Sequence, residues 1–428
     1  MTDHSKAGST SSAGTPRLLR AMNDRAALDL LIEHGPLTRT RLGHLTGLSK
    51  PTASQLLARL EAAGLVRATG TSTGGRPGPN AQLYGVNPAA AHVVGLDVTA
   101  ARVHAAVADL TGRTVGTHEL TVPAPKSRAA TRTGTDTANA PDGNAVHLVT
   151  QAIDGAAKAA GLTRADLHRA VLGTPGAFDP ATGRLRYAPH LLGWHAPTLL
   201  EELAAALPMP VEHDNDVNLA AVAEQRRGAA RDHGDFVLLW NQEGIGAALV
   251  LGGRLHRGFT GGAGEVAFLP VPGHPLMRNV ARANSGGFQE VAGAQAVVPL
   301  AREHGLPAPV LRGARPAYAE AAAILVANAA VRNTGPYAAF LQAFATRLAT
   351  GLASITAVLD PELIVLSGSL LVAGGEPLRT LIRAELNELA APHPHIAVGT
   401  ITEHPVLTGA LETALAATRD EVFDTSAL

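Results

Sequence analysis

Three features of this 428-residue chain predict a multi-domain α/β protein with a small helical head. Residues 35–65 carry two apolar stripes at helical spacing, separated by one glycine. Two later stretches each read as three short strands in succession. After the first of them, strands and helices alternate, the pattern of a layered α/β architecture.

The head comes first. In HGPLTRTRLGHLTGLSKPTASQLLARLEAAGL, Leu37, Leu42 and Leu45 make one stripe, and Leu56, Leu57, Leu60 and Leu65 make another. Gly47 supplies a tight turn and Leu48 plugs the corner. Ser49 is placed to cap the second helix, and Pro51 falls in its first turn, where a missing N–H costs nothing. The result is a helix-turn-helix. Its second helix leaves Lys50, Thr52, Ser54 and Gln55 on the leading face, side chains that exchange hydrogen bonds with base edges in a major groove. Arg39, at the start of the first helix, joins them as a DNA-binding candidate. An ordinary polar face on a helical interaction module also fits these residues, but the whole pattern favours DNA. Beyond it, Leu65, Val66 and Arg67 begin a strand, TGTSTGGRPGPN forms a flexible loop, and AQLYGV returns, which makes the unit winged. Arg76 sits in Gly-Gly-Arg-Pro-Gly, extended by its proline and approachable through its glycines. That presentation suits a narrow minor groove, against the alternative of a solvated wing arginine.

Charge agrees with this division. Residues 1–90 hold ten Lys plus Arg against five Asp plus Glu, a net +5, whereas the whole chain is −1, so the remainder carries −6. A basic head on an acidic body directs polyanions to the head. With 46% hydrophobic and 3% aromatic residues, the chain has material for about three domain-sized units. Cysteine is absent, which excludes disulfides, thiolate zinc sites and cysteine nucleophiles. No uninterrupted apolar run reads as a bilayer span, and MTDHSKAGSTSSAGTP is a polar tail, unlike a signal sequence. The expectation is a cytoplasmic protein without a membrane partner.

The body follows. AHVVGLDV, RVHAAVADL and RTVGTHELTV read as an antiparallel meander. Residues 126–144 are polar and apolar-poor, and read as a disordered surface loop. Helices near 146–160, 197–207 and 217–227 then alternate with the strands RAVLGT and PVEHD. A second meander at DFVLLWN, GAALVLGG and RLHRG precedes long helices near 317–331 and 337–359 and a buried strand, ELIVLSG. ADLTGR and VLGGRL close equivalent turns in the two meanders, so the body reads as two repeats of one plan. The expected domains are a tail at 1–16, the winged head at 17–88, a first lobe at 89–230, and a second lobe with dimerisation helices at 231–428.

Several segments together resemble the ROK family of repressors and sugar kinases: GLSKPTASQLL and GGRPG in the head, GLDV at Gly95, GTPGAFDPATG at Gly173, APHLLGW at Ala188, NDVN at Asn215, EGIGAALVLGGRLHRGFTGGAGEV at Glu243, and LDPELIVLSGSL at Leu359. The resemblance covers nearly the whole chain. It implies a winged helix-turn-helix fused to a two-lobed, actin-like (duplicated ribonuclease-H-like) sugar-kinase body.

What the resemblance implies about chemistry is mostly loss. The family's kinases carry a first phosphate turn resembling D-x-G-G-T, whereas here Asp97 is followed by Val98, Thr99, Ala100 and Ala101. The second loop resembles G-T-G-I-G-G-G, and here it runs Gln242, Glu243, Gly244, Ile245, Gly246, Ala247, Ala248. Glu243 puts a carboxylate where phosphate oxygens belong, while a phosphate cradle needs amides and cations. Asp97 and Gly368 remain. At the four positions matching the family's zinc ligands stand Phe268, Ala281, Ala283 and Phe288, none of which binds zinc. No metal or cofactor is expected. Phe268 and Phe288 are expected to hold that loop by packing, with His256 and His274 on the surface.

The sugar-contacting positions are better kept. Asn215, Asp216, Glu265 and Glu290 match sugar ligands, and Asp216 matches the kinase general base, here vestigial. Gly176 and His190 complete the expected ligand-binding set. A capping cluster at the start of VNLAAVAEQ is the alternative reading of Asn215 and Asp216. The expected function is a DNA-binding repressor that senses a sugar or related metabolite without phosphorylating it. Its expected partners are an inverted-repeat duplex operator, a sugar-derived effector and further copies of itself, as a homodimer or dimer of dimers. An active sugar kinase that also binds DNA, and a regulator that has lost ligand control, are the competing readings.

Overall fold

The computed structural model describes residues 16–72, 81–122, 145–179, 181–186, 188, 191, 193–278, 287–309 and 318–427. They fall into two compact units. One takes in the chain up to Val93 together with Ala108–Thr114 and Leu415 onward; the other comprises Val94–Val107 and Val115–Ala414.

The first unit holds the head. Helix α1 (Pro16–His34) leads through strand β1 (Leu37–Thr38) into α2 (Arg39–Thr46), α3 (Lys50–Ala62), β2 (Val66–Thr71) and β3 (Gln82–Val86). Gly47 ends α2 in the left-handed region at φ 70°, where its N–H reaches the carbonyls of Gly43 and His44. That is the tight turn read from the sequence, and glycine is the residue that takes it without a Cβ penalty. Ser49 caps α3 by accepting from the Thr52 N–H, with Pro51 in the first turn. Two details differ from the sequence reading. Leu37 pairs with Tyr84 in β1 instead of opening a helix, and Thr38 caps α2. Strand β2 also runs on through Thr69, Gly70 and Thr71 with a bulge after Ala68, because these residues still find partners on β3. The sheet order is β1-β3-β2. Ala27, Leu28, Leu42, Leu56, Leu57 and Leu60 are buried in one core with Tyr84, Leu110 and Phe423. The expected head ended at residue 88; the burial of Leu110 and Phe423 draws two later segments into it.

The second unit contains two sheets. After β4 (His92–Val98) come β5 (Arg102–Asp109), β6 (Thr114–Thr121), α4 (Ala145–Ala159), β7 (Arg169–Thr174), the short hairpin β8 (Ala177–Phe178) and β9 (Leu185–Arg186), α5 (Leu199–Ala206), β10 (Val211–Asn215) and α6 (Asp216–Arg227). The second half runs β11 (Phe236–Asn241), β12 (Ile245–Leu251), β13 (Arg254–His256), α7 (Gly287–Ala292), α8 (Ala294–Glu303), α9 (Tyr318–Arg332), α10 (Gly335–Leu359), β14 (Leu363–Ser367), α11 (Ser369–Leu389), β15 (His395–Val398) and α12 (Pro405–Val422). The sheet orders are β10-β7-β4-β5-β6 and β13-β12-β11-β14-β15. Read from opposite ends these are the same plan, a three-strand meander followed by two crossover strands, so the duplication is real. β7 and β10 pair in parallel, as do β11 with β14 and β14 with β15. Parallel inner strands are covered on both faces, which is why LIVLS at 363–367 is buried throughout.

Each lobe has its own core. Val94, Leu96, Val103, Ile153 and Leu172 anchor the first, and Phe288, Phe340, Phe344, Leu352 and Ile364 the second. Helix α10 is, by length and composition, apolar enough to cross a bilayer, although Gln342, Thr346 and Arg347 interrupt its apolar run. Its apolarity has a local cause, because Phe340, Leu341, Phe344, Leu348 and Leu352 are buried in the second lobe. The loop expected at 126–144 lies outside the described residues.

Candidate functional site

The body's candidate site forms at the start of α6. Asn215 is the N-cap: its side-chain oxygen accepts from Val217 N at 2.9 Å and Asn218 N at 3.3 Å, while its amide nitrogen donates to Gly176 O at 3.0 Å. The capping alternative is thus correct for Asn215. Gly176 is needed for two reasons. Its φ is +75°, and a Cβ there would lie 2.0 Å from Arg186 O. It serves the site through its carbonyl, holding Asn215 against the β7–β8 turn.

Asp216 is different. Its carboxylate accepts from Val217 N at 2.9 Å, a bond that favours the anion, yet its pKa is raised to about 7. Burial is the main cause, and the nearby carboxyls of Asp97 and Glu265 add to it. Glu265 is raised to about 7 by burial as well, and Asp97 is raised by burial against the pull of Arg102. Three carboxyls from three separate elements therefore come within electrostatic reach: the end of β4, the first turn of α6 and the loop before a 3-10 turn at Val266–Phe268. Near neutral pH such a cluster both donates and accepts hydrogen bonds, which matches the hydroxyls of a polyol.

Behind it sits a pair that sequence reasoning missed. Asp214 is buried and accepts from Arg257 Nη2 at 2.6 Å, Asn218 Nδ2 at 2.8 Å and Asn215 N at 2.8 Å. With its acceptors filled, it positions α6 and the loop after β13. The available signal was the run Asp214-Asn215-Asp216, which puts two carboxylates around the cap.

Other expected residues lie elsewhere. Glu290 is exposed on α7 and is absent from the charges that act on Asp216. Its neighbour Gln289 is the inward residue, 1% exposed, accepting from Ile245 N at 2.7 Å. A one-residue step on a helix turns a side chain by 100°, and burial of Phe288 fixes which side faces in. His190 lies outside the described residues. Phe288 is fully buried and its ring fills the space a Cβ on Gly351 would occupy. Phe268 is half-buried, so the packing expected of the pair falls to Phe288 with Val266 and Val271. His256 and His274 are exposed, as expected.

Several backbone amides at the two phosphate-loop positions are engaged within the protein. Thr99 N donates to Arg102 O, and the Thr99 hydroxyl accepts from the amides of Ala101 and Arg102 at 3.3 and 3.1 Å. In the second loop, Gln242 N donates to Gly244 O and Ile245 N to Gln289.

On the head, Lys50, Thr52 and Gln55 are exposed on α3 and Ser54 is half-buried. The Ser54 hydroxyl donates to Lys50 O at 2.8 Å, and the Thr52 hydroxyl shares a bond with Ser49 at 2.8 Å. Lys50 and Gln55 make no side-chain bond among the described residues, which leaves them the freest groups on that face. Arg39 is exposed and donates to Tyr84 OH at 3.3 Å. Arg76 lies outside the described residues. Arg59, later on α3, is turned inward to Asp24 on α1, with Nε to Oδ2 at 3.0 Å.

Known proteins align with both parts. Residues 93–416 match the ROK family profile and residues 22–77 the MarR family profile. The xylose repressor of Caldicellulosiruptor bescii is 25% identical over 260 residues, covering 60% of this chain and 61% of that one. The DNA-binding transcriptional dual regulator NagC of Escherichia coli is 23% identical over 294 residues, covering 68% and 67%. Among solved structures, a ROK family transcriptional regulator described as a homolog of the E. coli MLC protein superposes with a TM-score of 0.68 at 18% identity, covering 95% of this chain and 98% of that one. A ROK hexokinase from Thermus thermophilus gives 0.59 at 23% identity, covering 77% and 99%. The added 18% of coverage by the regulator is consistent with a head that the hexokinase match leaves out. The chain belongs to the ROK family and carries a MarR-type winged helix-turn-helix at its N-terminal end.

Proposed function

We infer that this protein is a DNA-binding transcriptional repressor whose kinase-like body senses a sugar or related polyol without phosphorylating it. The observation that carries the sensing half is the convergence of Asp97, Asp216 and Glu265 beside a first turn of α6 held by Asn215 and Asp214. Holding three carboxyls together in a partly desolvated site is costly unless something offsets it, and a polyol with several hydroxyls does so by pairing with them. The absence of catalysis is supported by the loops. A phosphate needs free amides, and those of Ala101, Arg102 and Ile245 are spent inside the protein, with Glu243 standing in the second loop.

For DNA, α3 enters the major groove with Gln55 and Lys50 toward base edges, while Arg39 and Thr52 take the flanking backbone. Arg76 reaches the minor groove from the wing. Ser54 serves the helix, through its bond to Lys50 O. A single head offers few base contacts, so the protein acts as a homodimer on an inverted repeat, the helices of the second lobe joining the copies. The name of the xylose repressor agrees with regulation of sugar-related genes, and that of NagC with DNA-binding transcriptional regulation. The exposure of Glu290 favours a second reading, in which ligand control has been lost.

The test is operator binding by the full chain, selected from random duplexes, followed by release with a panel of sugars and sugar phosphates. Release by one sugar, abolished in Asp216→Ala, is the expected result. Transfer of phosphate from ATP to any hexose overturns the non-catalytic reading, and a selected operator that no sugar releases favours lost control.

A further inference from the structure

Two residues near the C-terminal end, Phe423 and Thr425, are buried in the head. Phe423 is 1% exposed and shares the core of Leu28, Leu42, Leu56 and Leu60. Around it the segment is tied to α1 by polar contacts. Arg25 pairs with Asp420 at 2.8 Å and lies over the Phe423 ring at 5.6 Å, and Arg17 donates to Ser426 O. The central group is Asp24. It is also 1% exposed, and its carboxylate accepts from Arg59 Nε at 3.0 Å, from a second Arg59 nitrogen, and from Thr425 Oγ1 at 2.9 Å.

This arrangement joins elements far apart in sequence. Arg59 lies on α3, four residues after Gln55, on the helix that presents the base-reading face. A buried carboxylate keeps one orientation only while its acceptors are filled, since rotation would strand a charged oxygen without a donor. Thr425 fills one position, and the burial of Phe423 two residues earlier anchors the segment that carries it.

We propose that the C-terminal segment is a positioning element for DNA recognition: Phe423 anchors the segment in the head core, Thr425 holds Asp24, Asp24 holds Arg59, and Arg59 sets the seat of α3. The proposal rests on the DNA-binding reading above, but its physical core does not. It follows that α3 is held in place by residues some 360 positions later in the chain, and that Arg59 is a positioning residue, withheld from phosphate.

Four proteins test it: wild type, Thr425→Val, Thr425→Ser and a chain ending at Val422. Hydrogen exchange at the amides of Leu56, Leu57 and Leu60 is read without DNA, and the ratio of operator to random-DNA affinity is read with it. Thermal unfolding of the body is followed in parallel. The chain ending at Val422 is expected to exchange α3 amides at least tenfold faster and to lose most operator preference, with the body's transition unchanged. Thr425→Val is expected to lower the operator ratio about tenfold, equivalent to about 1.4 kcal/mol, and Thr425→Ser to restore it. A merely structural hydroxyl would shift the head's melting without changing the ratio between operator and random DNA. Wild-type α3 exchange in the shortened chain overturns the proposal. If wild type prefers no DNA sequence, the DNA-binding reading fails, while the exchange result still decides the positioning claim.

Discussion

Replacing Asp216 with Asn should make the body more stable and the protein less able to respond to sugar. In the folded protein Asp216 titrates near 7, against an ordinary value of 3.8. Below about pH 4 both the folded and the unfolded chain carry the proton, and the group is neutral to stability. Between about 4 and 7 the unfolded chain releases the proton while the folded protein keeps it. Stability is therefore lost as pH rises through this window, and the loss is complete above the folded value. Each unit is worth about 1.4 kcal/mol, so roughly three units set a ceiling of about 4 kcal/mol. Solvent reaching the half-buried side chain reduces this to about 2 kcal/mol. Asn keeps the acceptor for Val217 N and removes the charge. The assay is urea unfolding of the body's transition, for wild type and Asp216→Asn, at half-unit steps from pH 5 to 8. The variant's curve should be flatter and should lie about 2 kcal/mol above wild type at pH 8. Parallel curves would show that Asp216 is solvated and that the carboxyl cluster exerts no strain, which removes the main support for a ligand site there.

Glu265→Gln should act in the same direction, because burial alone raises Glu265, and its pH–stability curve checks this. Gly176→Ala should cost several kcal/mol, since it adds a Cβ at φ +75° 2.0 Å from Arg186 O; near-wild-type stability by urea unfolding would contradict that geometry. Phe288→Ala should destabilise the second lobe by about 3–5 kcal/mol, measured by the same titration, because its fully buried ring packs directly against Gly351. In the head, Gln55→Ala should cost about 1–3 kcal/mol at one operator position and relax base preference there. Lys50→Ala should also relax base preference, and a loss equal on operator and random DNA in titrations at several salt concentrations would instead place Lys50 on phosphate.

Much of this was legible in the residues because it depends on local rules. Gly47, Ser49 and Pro51 specify a turn, a cap and a helix start through backbone geometry that needs no distant partner, and the structure places each in that role. The two meanders and the continuous apolar run at 363–367 were readable because strand pairing between neighbours leaves a period in the sequence, and both halves resolve to one sheet order. Asp216 and Glu265 were legible by resemblance alone. That Asp97 joins them, that Glu290 faces water while Gln289 holds Ile245, and that Leu37 pairs with Tyr84 depend on which side of an element packs inward. The C-terminal segment is the clearest case. Nothing in DEVFDTSAL marks Phe423 and Thr425 as parts of the head, because burial and a shared carboxylate are properties of two chain segments brought together. A sequence shows local propensity and period; only the closed core decides which distant residues complete one another.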